Sequence, residues 1–160
     1  MATAYAASVD LPLGMAQVWQ WLTDIREPCP WLPGTISLRQ QDAGELGRGS
    51  VVQVRGQHQY WSVSVTYWEP PKTLELIRTV WYGTLVYRLH LAQESTTALC
   101  TSAQLQVTGL APYGQQAWWI KPLLWFEWRR LKRWLTSLPT RLGPQDGAAP
   151  VNTIENREVD

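Results

Sequence analysis

SVDLPLGMAQVWQWLTDIREPCPWLPG, residues 8–34, joins the end of a strand, a breaker, an amphipathic helix and a proline-bounded tryptophan turn in one run. Just before and into it, Tyr5, Ala7 and Val9 alternate with Ala6, Ser8 and Asp10, so Ala4 to Leu11 reads as a half-buried strand. Pro12 and Gly14 end that strand. Met15, Val18, Leu22 and Ile25 then recur at spacings of three, four and three, which puts all four on one side of a helix of about three turns. Pro28, Pro30 and Pro33 forbid its continuation, since a proline ring removes a backbone donor and clashes with the preceding turn.

Working outward, 160 residues that are 45% hydrophobic and 17% charged suffice for one well-buried core and fall short of two ordinary domains. The expected organisation is a single domain over residues 1–142 and a disordered tail over 143–160, where no apolar period survives. No apolar run approaches the roughly 18 residues that a membrane-spanning helix needs. The first residues lack the basic start and apolar centre of a signal peptide, so the expected location is the cytoplasm. Cys29 and Cys100 match no metal spacing or redox motif and read as reduced thiols.

Charge is distributed unevenly. Residues 1–112 carry seven Lys and Arg against eight Asp and Glu, residues 113–142 six against one, and residues 143–160 one against four. The surplus of positive charge therefore sits in one C-terminal segment.

Between head and tail the chain alternates. Ser50 to Arg55, Tyr60 to Glu69, Thr73 to Trp81, Thr84 to Ala92 and Ala98 to Val107 each read as strands bounded by turn residues, an antiparallel meander. The polar stretch Thr35 to Leu46 and the glycines of GELGRGS read as a lead into that sheet. Trp61, Val63, Val65 and Tyr67 share one predicted face, and so do Leu85, Tyr87, Leu89 and Leu91. That face needs a cover. Leu124, Trp128, Leu131, Leu135 and Leu138 supply one, recurring at four, three, four and three along a helix whose Arg129, Arg130, Lys132 and Arg133 fall off the stripe. Pro122 divides this region into an expected short helical piece, Gln115 to Lys121, and a main helix, Pro122 to Ser137.

In this order the segments resemble the START-like, or SRPBCC, superfamily, which includes the birch pollen allergen group, polyketide cyclases and lipid-transfer domains. The residues that carry the resemblance are SVDLPLGMAQVWQWLTDI followed by PWLPG, the glycine-rich GELGRGSVVQVRG, the diproline turn EPPKTLELIRTV, and TGLAPYGQQAWWIKPLLWFEWRRLKRWLTSL, together spanning about Ala4 to Leu142. The resemblance implies an α+β helix-grip fold: two short helices after the first strand, and a curved antiparallel sheet wrapped around a long C-terminal helix. It also implies a cavity between sheet and helix that holds a hydrophobic small molecule.

Catalytic motifs are missing from the chain. His58 and His90 lie on different predicted strands without acidic neighbours, so neither a metal site nor a cofactor is expected. There is no phosphate-cradling Gly-Lys motif, no nucleophile elbow and no paired Cys and His. The expected function is binding or transport of a hydrophobic or amphipathic small molecule, with a cyclase or dehydratase as the enzymatic alternative. Cavity candidates are Trp31, Trp61, Tyr67, Arg78, Tyr87, Leu105, Trp125 and Trp128. Arg78 is in phase with Leu74, Leu76 and Val80; it reads either as a fork for a ligand oxygen or as a rim residue with its head in water or on a carboxylate. Tyr87 reads as a core residue whose hydroxyl reaches the edge or the cavity, and His90 as outward-facing. Eleven tryptophans serve mainly as packing, while Trp125, near Pro122 and off the stripe, reads as part of a lid. Tryptophan beside Lys121, Arg129, Arg130, Lys132 and Arg133 raises a second alternative, a peripheral membrane or protein-interaction module that uses this helix, with an anionic membrane surface as its partner. Nucleic acid is not expected, because the rest of the chain is slightly acidic and the basic stripe is short.

Overall fold

The computed structural model describes residues 3–25, 35–81, 83–93, 100–110 and 120–148, with side chains in the last segment over 121–139. The elements run β1 (Thr3–Leu11), α1 (Met15–Thr23), β2 (Thr35–Gln40), β3 (Val51–Gly56), β4 (Tyr60–Glu69), β5 (Thr73–Val80), β6 (Gly83–Gln93), β7 (Thr101–Leu110) and α2 (Ile120–Ala148). All strands join one antiparallel sheet in the order β1-β7-β6-β5-β4-β3-β2. Strands β2 to β7 thus form a meander, and β1 closes the far edge against β7. Because β1 and β2 occupy opposite edges, the segment containing α1 carries the chain across the whole width of the sheet.

The alternation read in the sequence sorts side chains as a one-sided sheet requires. Val52 and Val54, Val63 and Val65, Leu74 and Leu76, Leu85 to Leu91 at every second residue, and Ala103, Leu105 and Val107 are all buried on the inner face. Helix α2 covers the β1 and β7 side of that face. Leu124, Leu131, Leu135 and Leu138 are fully buried, each contributing a gross burial gain of about 1.5–3 kcal/mol. Trp128 stacks on Tyr5 of β1, with ring centroids 5.9 Å apart and planes at 16°. Helix α1 buries Val18, Trp19 and Leu22, and Trp19 meets Trp68 edge-on at 5.0 Å.

Several expectations need correction. Thr35–Gln40 is not a lead-in but the edge strand β2, bulged between Thr35 and Ser37 and paired only with β3. With one bonded side, and with Ile36 exposed while Leu38 meets the core, it needs little apolar alternation, and Arg39 suits an edge. Strand β4 carries a bulge between Val65, opposite Leu76, and Tyr67, opposite Glu75. The extra residue, Thr66, reverses the facing beyond it. Trp68 therefore packs inward and Tyr67 turns out, 46% exposed, where its hydroxyl donates to Glu69. Among the described residues there is no helix boundary at Lys121: α2 (Ile120–Ala148) includes both Lys121 and Pro122. Nor does α2 end at Ser137; it runs through Pro139 to Ala148. A proline removes one donor from a helix, and the buried Leu135 and Leu138 hold this one across that point. The second of the two expected short helices and most of the piece Gln115 to Lys121 lie outside the described residues.

Gly83 has φ 147° and pairs with Val80 to close the β5–β6 hairpin, a backbone setting that side chains resist.

Candidate functional site

Between α2, α1 and the sheet lies a cavity of about 40 Å³ lined by Leu22, Leu74, Leu76, Tyr87, Leu89, Leu105, Leu131 and Trp134. Its walls are aliphatic and aromatic because β5, β6 and β7 each present every second residue to it and α2 presents its stripe. The polar exception is Tyr87. This side chain is 1% exposed, and its hydroxyl donates to Glu127 Oε1 of α2 at 3.0 Å.

Glu127, outside the cavity lining, gathers a cluster around the Tyr87 hydroxyl. The same Oε1 accepts from Arg130 Nη2 at 3.0 Å, and Arg78 Nη1 of β5 lies 3.7 Å away. Arg78 and Glu127 have side chains only 12% and 13% exposed, whereas Arg130, at 42%, reaches out to solvent. The Arg78 guanidinium also rests over the Trp61 ring, 4.7 Å from its centroid. Among the described residues two guanidinium groups thus share one carboxylate, Arg78 largely buried and Arg130 in solvent. A buried ion pair of this kind does little for stability, because desolvation offsets the attraction.

Burial pushes the Tyr87 phenol far above its ordinary range; the Glu127 carboxylate adds to this and the Arg78 charge opposes it. Tyr87 is therefore a neutral hydrogen-bond donor at any physiological pH. Hydrogen bonding within the cluster is incomplete. Arg78 Nε, Trp61 Nε1 and Thr35 Oγ1 are buried and find no partner among the described residues. They are neighbours. Thr35 pairs with Gly56, a Cβ on Gly56 would lie 2.5 Å from the Trp61 ring, and that ring carries Arg78. Each such orphaned group costs about 1–3 kcal/mol while it lacks a partner.

Of the candidates read from the sequence, Tyr87 and Leu105 line the cavity, whereas Arg78 and Trp61 are outside its lining and connect to it through Glu127 and the Tyr87 hydroxyl. Arg78 is largely buried near the end of β5 and faces a carboxylate, Glu127. Trp128 lies instead over β1 on Tyr5. Trp125 is not in the cavity lining; it is 43% exposed, edge-on to Phe126 and capped by Arg129 at 5.4 Å. Its position on the helix explains this, since it follows Leu124 by one residue and so turns about 100° from the buried stripe. Tyr67 faces outward for the reason given above, and Trp31 lies outside the described residues. Lys121, Arg129, Arg130, Lys132 and Arg133 are exposed along α2. His90 is exposed on the outer face, with Nδ1 3.0 Å from Thr73 Oγ1. Glu127 was missed, yet its signal was present: it follows Leu124 by three and precedes Leu131 by four, which places the segment's one acid beside the buried stripe. Among the described residues no three His, Cys, Asp or Glu side chains converge as a metal site, and no helix is long and apolar enough to cross a membrane.

No family model matches the sequence, and no curated protein matches it. Solved structures do match in shape. The di-domain ARO/CYC BexL from the BE-7585A biosynthetic pathway superposes with a TM-score of 0.68 at 11% identity, over 86% of this chain and 45% of BexL. The chain thus spans about half of that two-domain protein. A START superfamily protein from Mycobacterium smegmatis gives 0.64 at 12% identity, over 89% and 98% of the two chains. Ara h 8.0201 gives 0.61 at 12% identity, over 84% and 95%. The chain has the helix-grip fold of the START-like and Bet v 1-like proteins.

Proposed function

We propose that the protein binds an amphipathic small molecule, its apolar body between α2 and the sheet and a carbonyl or acidic oxygen against Arg78. One observation supports this reading: beside an apolar cavity, joined to it through Tyr87 and Glu127, a largely buried guanidinium has an Nε with no partner among the described residues. The apolar body would supply most of the affinity and the polar cluster its orientation. A cavity of about 40 Å³ holds little more than water, so a ligand of lipid, isoprenoid, quinone or polyketide size requires α2 and the sheet to separate. Trp134 of α2, half-buried on the cavity wall, is the side chain best placed to yield.

Native mass spectrometry of protein purified from its own host, followed by organic extraction, tests the reading. The expected result is a co-purifying molecule with an apolar body and at least one oxygen function, lost or much reduced in Arg78→Met. Protein that carries nothing and takes up no amphipathic ligand would overturn it.

A catalytic reading is favoured by a separate observation, the neutral Tyr87 donor held beside Arg78. Arg78 by its charge and Tyr87 by a hydrogen bond would hold the negative charge that gathers on a ligand carbonyl oxygen as the enol carbon of a second ketone in the same ligand adds to it, the enol's O–H proton passing to that oxygen; BexL, similar in shape, is described as an ARO/CYC protein. Recovery of a supplied polyketone cyclised by wild type but intact after incubation with Tyr87→Phe would establish it. Recovery intact from both leaves binding alone.

A further inference from the structure

We propose that one end of the molecule, formed by the β3–β4 and β5–β6 hairpins, the end of β7 and the first turns of α2, docks on an anionic lipid bilayer. Strand register brings these parts together. Arg55 pairs with Tyr60, Val80 with Gly83, and Thr84 with Leu110, successive rungs at the same end of the ladder. The direction of α2 follows from its contacts: Glu127 meets Tyr87, while Leu131 and Trp134 meet the cavity further along, beside Leu89 and Leu105. The turns before Glu127 therefore run toward Leu85 and Leu110.

This end gathers exposed apolar side chains: Trp81 is 87% exposed, Tyr60 65%, Phe126 64% and Leu110 46%. Of the large apolar side chains exposed among the described residues, only Tyr67 lies at the opposite end. The charge matches an anionic surface. Residues 55–61, 79–86, 107–110 and 120–126 contain Arg55 and Lys121 and no Asp or Glu, while Arg78 and Glu127 at this end are largely buried against each other. Asp10, Asp42, Glu45 and Glu69 lie at the other end of the ladder, with Arg48 and Lys72 among them. At the proposed face cations sit on aromatic rings, Arg55 over Tyr60 and Arg129 over Trp125. Tryptophan and tyrosine rings suit the headgroup level of a bilayer, where one edge is apolar and the other wet, and neighbouring cations are drawn to anionic lipid. Phosphate contact in a nucleic acid would use the cations and leave Trp81, Leu110 and Phe126 without a role.

The inference is independent of any ligand in the cavity. It is tested by co-sedimentation with vesicles of phosphatidylcholine alone and of phosphatidylcholine with phosphatidylglycerol, at low and at physiological salt. Wild type is expected to sediment with the anionic vesicles only, more strongly at low salt. Trp81→Ser with Phe126→Ser, and separately Lys121→Gln with Arg129→Gln, should each weaken binding by about tenfold or more. Both pairs alter exposed side chains, and circular dichroism checks that the fold is kept. Failure to sediment with either vesicle, equal binding to uncharged vesicles, or binding unchanged in the Trp81 and Phe126 pair would each overturn the proposal. Preferential binding to duplex DNA or to an acidic protein over anionic vesicles would do the same.

Discussion

The Tyr87 hydroxyl donates to Glu127 Oε1 at 3.0 Å, tying the middle of β6 to the gripped helix α2 across 40 residues of chain. The bond ends on the carboxylate that also faces Arg78, so it joins the helix, the sheet and the Arg78 guanidinium. Removing any one member leaves the others buried and short of a partner, and the consequences differ by member.

Glu127→Ala leaves Arg78 as an uncompensated, largely buried charge, and should cost about 3–5 kcal/mol in urea denaturation. Adding Arg78→Met to that variant removes the orphaned charge and should recover part of the loss. A double variant less stable than Glu127→Ala alone would show that the pair is not coupled as its 3.7 Å separation implies.

The raised pKa of Tyr87 has a defined sign. In the unfolded chain the phenol ionises near pH 10, and in the folded chain it holds its proton to higher pH, so the folded state binds more protons above about pH 10. The stabilisation is fully present below that pH and is lost as pH rises beyond it, at up to about 1.4 kcal/mol per unit for this one group. Comparing the alkaline slope of wild type with that of Tyr87→Phe isolates it. Phenolate absorbance should show one tyrosine that ionises only on unfolding.

Gly56→Ala should move the Trp61 ring, because the added Cβ would stand 2.5 Å from it, well inside contact distance. The expected cost is about 1–3 kcal/mol, typical of overpacking. The ring would also shift away from Arg78, so weakened ligand uptake with the fold retained is expected. Unchanged stability and uptake would place the ring elsewhere.

The bulge at Thr66 makes opposite predictions for two adjacent aromatics. Trp68→Ala should cost about 2–4 kcal/mol through lost packing on Trp19, whereas Tyr67→Ala should fall within about 0.5 kcal/mol of wild type. The reverse order in thermal denaturation would mean that the strand continues without the bulge.

Trp134→Ala should enlarge the cavity at the expense of stability, by about 3 kcal/mol or somewhat less since the ring is only half-buried. Uptake of an amphipathic aromatic probe such as anilinonaphthalene sulfonate should rise in this variant under native conditions. Uptake that falls would mean that the ring is a ligand contact rather than a barrier.

Local periodicity determined the architecture. Spacings of three and four from Leu124 to Leu138 specify which face of α2 is buried, and period-two runs in β3 to β7 specify a one-sided sheet, because these patterns depend only on backbone geometry within a few residues. From them the helix-grip order was legible, as was the inward phase of Tyr87 and Leu105. The short edge strand β2 was not, since an element bonded on one side and half-exposed imposes little pattern. Facing beyond Thr66 was not legible either, because a single bulged residue inverts every later side chain and leaves no mark on composition. The site itself is a product of tertiary structure. Arg78, Tyr87 and Glu127 come from two strands and a helix, and only the closure of α2 onto the sheet places one carboxylate between a guanidinium and a phenol. That closure is driven by non-directional burial of the leucine stripe; the charges are carried along with it, so their meeting follows from packing between distant segments and not from any spacing in the chain.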